Sequence, residues 1–245
     1  MIRSIFVVVL FLVSTFSHAD SVSLGDFSIS MDGAQDGEST SNVIKVFLLL
    51  TILSIAPSLL IVMTSFTRII LVLSMLRHAL GMQQTPPNTV LLSLALFLTI
   101  FSMAPVLKEA NEQALQPLSQ EQIGLEEAVE KGIKPFKVFM LKHTREQDLS
   151  LMLELSNSVM PEKLDNVSLI TLVPAFMISE LFTAFKIGFI IFLPFLLVDI
   201  VVSSLLMSMG MLMVPPMMMS LPIKIMLFVL VDGWNLIVRS LMGTF

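Results

Sequence analysis

The 245-residue chain has no cysteine, three histidines and few charges, 14 Lys and Arg against 19 Asp and Glu, or 13% charged. Without cysteine there are no disulfides, thiolate nucleophiles or zinc–thiolate sites, whatever the compartment. His18, His78 and His143 lie far apart, and none belongs to an HExxH or HxxxH pair that would set two ligands on one helix face. The sequence therefore calls for no metal and no cofactor. A net charge of -5 gives no clustered basic surface for nucleic acid. No nucleophile and base stand at usable spacing, which speaks against an enzyme. What is abundant is apolar: 55% of the residues, with a mean hydropathy of +0.90, against about 45–50% apolar and about 25% charged in soluble domains. The expectation is an all-α, multi-span helical membrane protein.

The first segment, 1–19, reads as a signal peptide: Arg3 is the positive flank, Ile5 to Val13 the apolar stretch, and Ser17-His18-Ala19 a small-x-small cleavage site. Residues 20–42 carry Asp20, Asp26, Asp32, Asp36 and Glu38 and no basic side chain, which predicts a flexible exported leader. Residues 43–107 read as a first helical hairpin. Its apolar arms, 43–63 and 89–107, are 21 and 19 residues long, near the ~20 that span a bilayer as a helix. The linker between them holds Arg68 and Arg77 with no acid, placing it in the cytoplasm by the positive-inside rule. Residues 108–166 form a charged, external helical linker. Within it, Thr144 with Gln147 suggests a capping box, and Leu149, Met152 and Leu153 fall on one helix face.

Residues 167–245 read as an apolar hairpin with a methionine-rich loop. Its simplest division gives spans at 186–206 and 217–238 joined at Pro215-Pro216, four spans in all, with 167–185 as an extra buried helix. Glu180, Lys186, Asp199, Lys224 and Asp232 interrupt this apolar half. An ionisable group at membrane depth costs upward of about 2.5 kcal/mol and is commonly paired or faces a bundle interior. Glu180 and Lys224 are the expected buried pair; snorkelling at the interface and a proton relay are the other readings of these charges.

The strings "SFTRIILVLSMLRHALGMQQTPPN", "TREQDL", "PAFMISELFTAFKIGF", "MGMLMVPP" and "LPIKIMLFVLVDGW" resemble the FliP family of flagellar biosynthetic proteins and its relatives in type III secretion export gates. The resemblance implies helical hairpins assembling into an oligomeric cone at the base of the bacterial flagellum, in the cell inner membrane. Five copies would join two other small membrane proteins and pass unfolded flagellar subunits, surrounded by membrane lipid. It also implies a methionine gasket in the pore, which falls here at Met209, Met211 and Met213, with Leu212 where the family string, closer to GMMMVPP, has a methionine. Methionine suits that use because it is unbranched and deformable, and an apolar constriction can close by dewetting. The alternative is a methionine-rich copper(I) membrane transporter, since soft thioethers bind that ion. Against it, Met207, Met209, Met211 and Met213 stand at i, i+2 spacing and would point apart on a helix.

Overall fold

The computed structural model of the chain describes residues 23–24, 27–28, 37–156, 167–211 and 214–245. The signal-peptide expectation lies outside the described residues. The chain divides into two units, 1–56 and 57–245. In the first, strand β1 (Ser23–Leu24) pairs antiparallel with β2 (Phe27–Ser28), placing Ser23 opposite Ser28 and Leu24 opposite Phe27. A small ribbon therefore occupies part of the leader. Helix α1 (Gly37–Val62) begins at Gly37 rather than Val43 and carries the chain into the second unit.

The second unit is built from helices α2 (Phe66–Ala79), α3 (Asn88–Ala110), α4 (Gln116–Ser119), α5 (Leu125–His143), α6 (Glu146–Leu155), α7 (Leu169–Ser208), α8 (Pro216–Leu230) and α9 (Gly233–Met242). A π-helical turn, Asn111–Leu115, joins α3 to α4. Residues 64–88 are thus not a plain linker. In α2, Ile69, Val72, Leu73 and Leu76 recur at helical spacing and are all buried, together with Arg68 and Ala79. The arginine counted toward a cytoplasmic surface is an interior residue. Helix α2 ends in a Schellman motif: Gly81, at φ +79, donates its N–H to His78 O at 2.9 Å, and Met82 donates to Arg77 O at 3.2 Å. Pro87 then precedes the first turn of α3.

Two apolar clusters hold the unit together. One joins α2, α3, the middle of α7, α8 and α9 through Ile69, Leu76, Leu91, Phe195, Phe228 and Leu241. The other joins α5, α6 and the start of α7 through Phe136, Phe139, Met140, Leu149, Leu153 and Phe176. Each such side chain, fully buried, contributes about 1.5–3 kcal/mol. Leu149 and Leu153 face inward as their spacing suggests. The Thr144 capping box does not form: Arg145 precedes the first turn of α6 with no side-chain cap, and the Thr144 hydroxyl instead donates to Met140 O at 2.7 Å, closing α5.

The apolar half differs most from the expected division. Residues 167–185 and the span after them form one 40-residue helix, α7, entered through Ser168, whose side chain accepts from Ile170 N–H at 3.4 Å. Gly188, Pro174 and Pro194 all lie inside the helix, and none of them stops it near residue 186. At 1.5 Å per residue α7 is about 60 Å long, twice the hydrocarbon thickness of a bilayer. Its start is buried against α5 and α6, so the exposed apolar C-terminal part is the portion suited to lipid. Helix α7 and the stretch 88–119 are each long and apolar enough to cross a membrane, and α8 with α9, bent by 65°, makes a third span if counted as one.

Candidate functional site

Charged side chains from α2, α6 and α8 meet α7 at three polar junctions. Glu180 is fully buried on α7 and accepts from Arg68 of α2 through both carboxylate oxygens, Nε to Oε2 at 2.8 Å and Nη2 to Oε1. The remaining guanidinium nitrogen, Nη1, donates to Thr244 Oγ1 at 3.0 Å and to Thr244 O at 3.2 Å. The Phe245 ring lies 4.2 Å from the guanidinium carbon. A forked cation on a planar carboxylate is the strongest geometry such a pair can take, and here the fork is fully used.

Lys224 is the mirror case on α8. Its ammonium, on a side chain only 4% exposed, donates to Asp199 Oδ2 at 2.7 Å and to the main-chain oxygen of Ala79 at 3.2 Å. Ala79 is the last residue of α2, where unpaired carbonyls and the helix dipole both favour a cation. The other Asp199 oxygen accepts from Ser220 at 2.6 Å. Glu180 and Lys224 are therefore each buried and each ionically paired, but not with one another. The sequence could not show this, because the true partners lie 112 residues before Glu180 and 25 before Lys224. The available signal was that Arg68 is a lone charge in "FTRIILVL" and Asp199 a lone charge in "LLVDIVV".

A third polar junction sits beside Glu180. The Ser179 hydroxyl donates to Asp148 Oδ2 at 2.6 Å and accepts from Arg145 N–H at 3.0 Å, tying the first turn of α6 to α7. Arg145 grips Asp148 in turn, at 2.7 and 2.8 Å, while stacking 3.6 Å over the Phe182 ring. The Arg145 guanidinium holds the Asp148 carboxyl below its ordinary value, with Ser179 adding to the effect.

The methionines occupy the tip of the α7–α8 hairpin. Helix α7 ends in a second Schellman motif: Gly210, at φ +76, donates to Met207 O at 3.0 Å, and Met211 donates to Leu206 O at 3.0 Å. Met209 and Met211 are both exposed, at 66% and 42%; Met213 lies outside the described residues. Met217, Met218 and Met219, in the first turn of α8, are exposed as well. Among the described residues no group of three or more His, Cys, Asp or Glu is placed to hold a metal ion.

Comparison with known proteins gives one consistent answer. The model of the FliP family matches residues 49–241. The chain is 55% identical over 217 residues to the flagellar biosynthetic protein FliP of Bacillus subtilis, covering 89% of this chain and 98% of that one. It is 52% identical to the protein of that name from Pectobacterium carotovorum, over 85% of this chain and 81% of that one. The Caulobacter vibrioides protein is 50% identical, over 84% and 77%. With the family pattern running through every helix of the second unit, the chain belongs to the FliP family.

Proposed function

We propose that the chain is a component of the protein-conducting export gate of the flagellar type III secretion apparatus, needed for flagellum assembly and for export of flagellar proteins. The observation that carries this reading is the match to flagellar biosynthetic relatives along nearly the whole chain, at identities near one residue in two. In this reading it is a multi-pass protein of the cell inner membrane at the flagellar base. Five copies assemble with two other small membrane proteins into a cone of helical hairpins, and unfolded flagellar subunits are the cargo. It is a conduit and not an enzyme.

The geometry supports an oligomer. Exposed large apolar side chains line α7 and α8, among them Phe182, Phe189, Leu197, Met218 and Leu230, and apolar surface left open in this way marks contact with lipid or another protein. Lipid can cover only part of a 60 Å helix, and neighbouring copies are the natural cover for the rest. Met209, Met211 and Met213 are the proposed gasket: the left-handed turn at Gly210 sends the chain sharply out of α7, and the flexible thioethers beside it can deform around cargo and reclose. The copper(I) alternative draws no support, since the matched relatives are named for flagellar biosynthesis.

The test is a clean deletion of the gene, complemented in trans. Cells lacking it should grow normally, assemble no filament and secrete no flagellar subunits. Fully flagellated, motile deletion cells would overturn the reading.

A further inference from the structure

We propose that Asp199, Ser220 and Lys224 act as a polar clamp that fixes the base of the methionine hairpin and thereby sets where its tip stands. The proposal rests on the gate reading for its functional consequence, though not for its geometry.

Three elements converge on the clamp. Asp199 belongs to α7, Ser220 and Lys224 to α8, and the Ala79 carbonyl to the end of α2. Helix α2 is itself anchored in the core by Ile69, Val72, Leu73 and Leu76. The turn after it also lies against α8: a Cβ built on Gly81 would stand 3.4 Å from Leu221 Cδ1. Lys224 thus ties both arms of the hairpin to a rigid post, and Ser220 adds a second tie one helical turn nearer the tip.

Beyond the clamp the hairpin has little to hold it. From Asp199 the α7 arm runs on to Ser208, about 14 Å at 1.5 Å per residue. Along that stretch Val202 and Leu206 are buried, while Leu205 and Met207 are exposed, as are Met209 and Met211 just past it. On the other arm Met217, Met218 and Met219 are exposed, and Ser220 is the first buried residue. Among the described residues beyond Asp199, the side-chain bonds of the tip itself are local ones, such as Ser208 Oγ to Leu205 O at 2.7 Å. An apolar tip of that length, cantilevered from a polar base, takes its position from the base.

The choice of residues fits a clamp better than apolar packing would. Apolar side chains slide past one another at little cost, whereas a charged pair with a hydroxyl on one side and a helix end on the other has one good arrangement. Polar groups at a single buried position fix register in packed helices in the same way.

The chain contains no cysteine, so Ser208→Cys at the tip and His78→Cys on α2 accept spin labels without background. The labelled chain is diluted into unlabelled chain within the assembled complex in mild detergent. The 78–208 distance distribution should be narrow in the parent and should broaden or shift in both Asp199→Asn and Ser220→Ala. Ser220→Thr, which keeps the hydroxyl, should restore it, and Ser93→Ala, an exposed residue of α3 whose hydroxyl donates back to Thr89 O in its own helix, should leave it unchanged. Ion leak across the membrane, measured in cells carrying the same variants without labels, should rise several-fold with Ser220→Ala and not with Ser93→Ala. An unchanged distribution in Asp199→Asn and Ser220→Ala overturns the clamp. A changed distribution without leak leaves the clamp standing and counts against the gate reading. If Asp199→Asn does not accumulate, Ser220→Ala, which removes a single hydroxyl, decides.

Discussion

At the scale of single residues, the fold depends on a few buried charges whose value lies in their pairing. Removing one member of a buried pair leaves the other charge without compensation and costs about 3–5 kcal/mol, while replacing both by apolar groups of similar volume can be neutral. Arg68→Met and Glu180→Met should therefore each lower the melting temperature of the detergent-solubilised chain more than the double variant does. A double-mutant cycle should show coupling between Arg68 and Glu180, and again between Asp199 and Lys224, with near-additive losses for Glu180 with Lys224. Strong coupling in that last cycle would contradict the pairing seen here. Two groups outside the spanning helices set a pH dependence. Burial pushes the His143 imidazole below 6.5, with the nearby Arg68 and Lys142 charges acting the same way. The folded chain then prefers the neutral ring, so stability is undiminished above 6.5 and is lost as pH falls from there toward the lower folded value. Asp148, held below 3.8 mainly by Arg145, contributes stability that is complete above 3.8 and lost as pH falls through its folded value. Melting temperature against pH should thus decline in two stages, and His143→Gln should abolish the first while sparing the second.

At the scale of elements, close approach at glycine decides where helices can pack. A Cβ on Gly233, at the bend between α8 and α9, would lie 2.2 to 2.8 Å from the Phe228 ring, which is wedged between Phe195 and Trp234. A Cβ on Gly188 would meet Met75 Cε and Sδ at 2.3 and 2.4 Å, the free end of a side chain with three rotatable bonds. Both substitutions overpack, at a typical cost of about 1–3 kcal/mol, but a thioether can swing aside and a trapped ring cannot. Gly233→Ala should therefore lower the melting temperature distinctly more than Gly188→Ala. Equal losses would mean that the Met75 site is as rigid as the Phe228 site. The contacts of Arg68 with Glu180 and of Met75 with Gly188 also fix the direction of α2 along α7. The two helices run in the same sense, a pairing that a hairpin of neighbouring elements could not produce.

At the scale of the whole molecule, the second unit carries two regions whose surfaces differ. The start of α7, with α5 and α6, carries the polar junctions of Asp148 and Ser179, whereas the far part of α7 and all of α8 present apolar side chains outward. In the gate proposed above, the methionine tip is the part of the hairpin assigned to the cargo path. Replacing Met209, Met211 and Met213 together by alanine should leave assembly intact and raise ion leak, because alanine removes the bulk that keeps a constriction dry. The same change at Met217, Met218 and Met219 is the comparison. Leak from the second set alone would move the gasket into the first turn of α8, and leak from neither in assembled complexes would reduce these methionines to packing.

Composition and run length together pointed to membrane-crossing helices: the chain is 55% hydrophobic, backbone in lipid is satisfied only in helices or closed barrels, and apolar runs of 19 and 21 residues suit a helix rather than a short barrel strand. Periodicity revealed the inward face of α6, since that signal acts within a few residues. The extent of α7 was not legible: hydropathy cannot tell a helix that ends from one that passes out of lipid into a protein core, and Lys186 looked like a boundary when it is merely an exposed residue on a continuous helix. Nor could the sequence choose partners for its buried charges. Each lone charge in an apolar run announces that it needs a counter-charge, but which one is decided by how helices far apart in the chain lie against each other. Only the packing of α2 in the same sense along α7 brings Arg68 to Glu180, and only the return of α8 brings Lys224 between Asp199 and the end of α2.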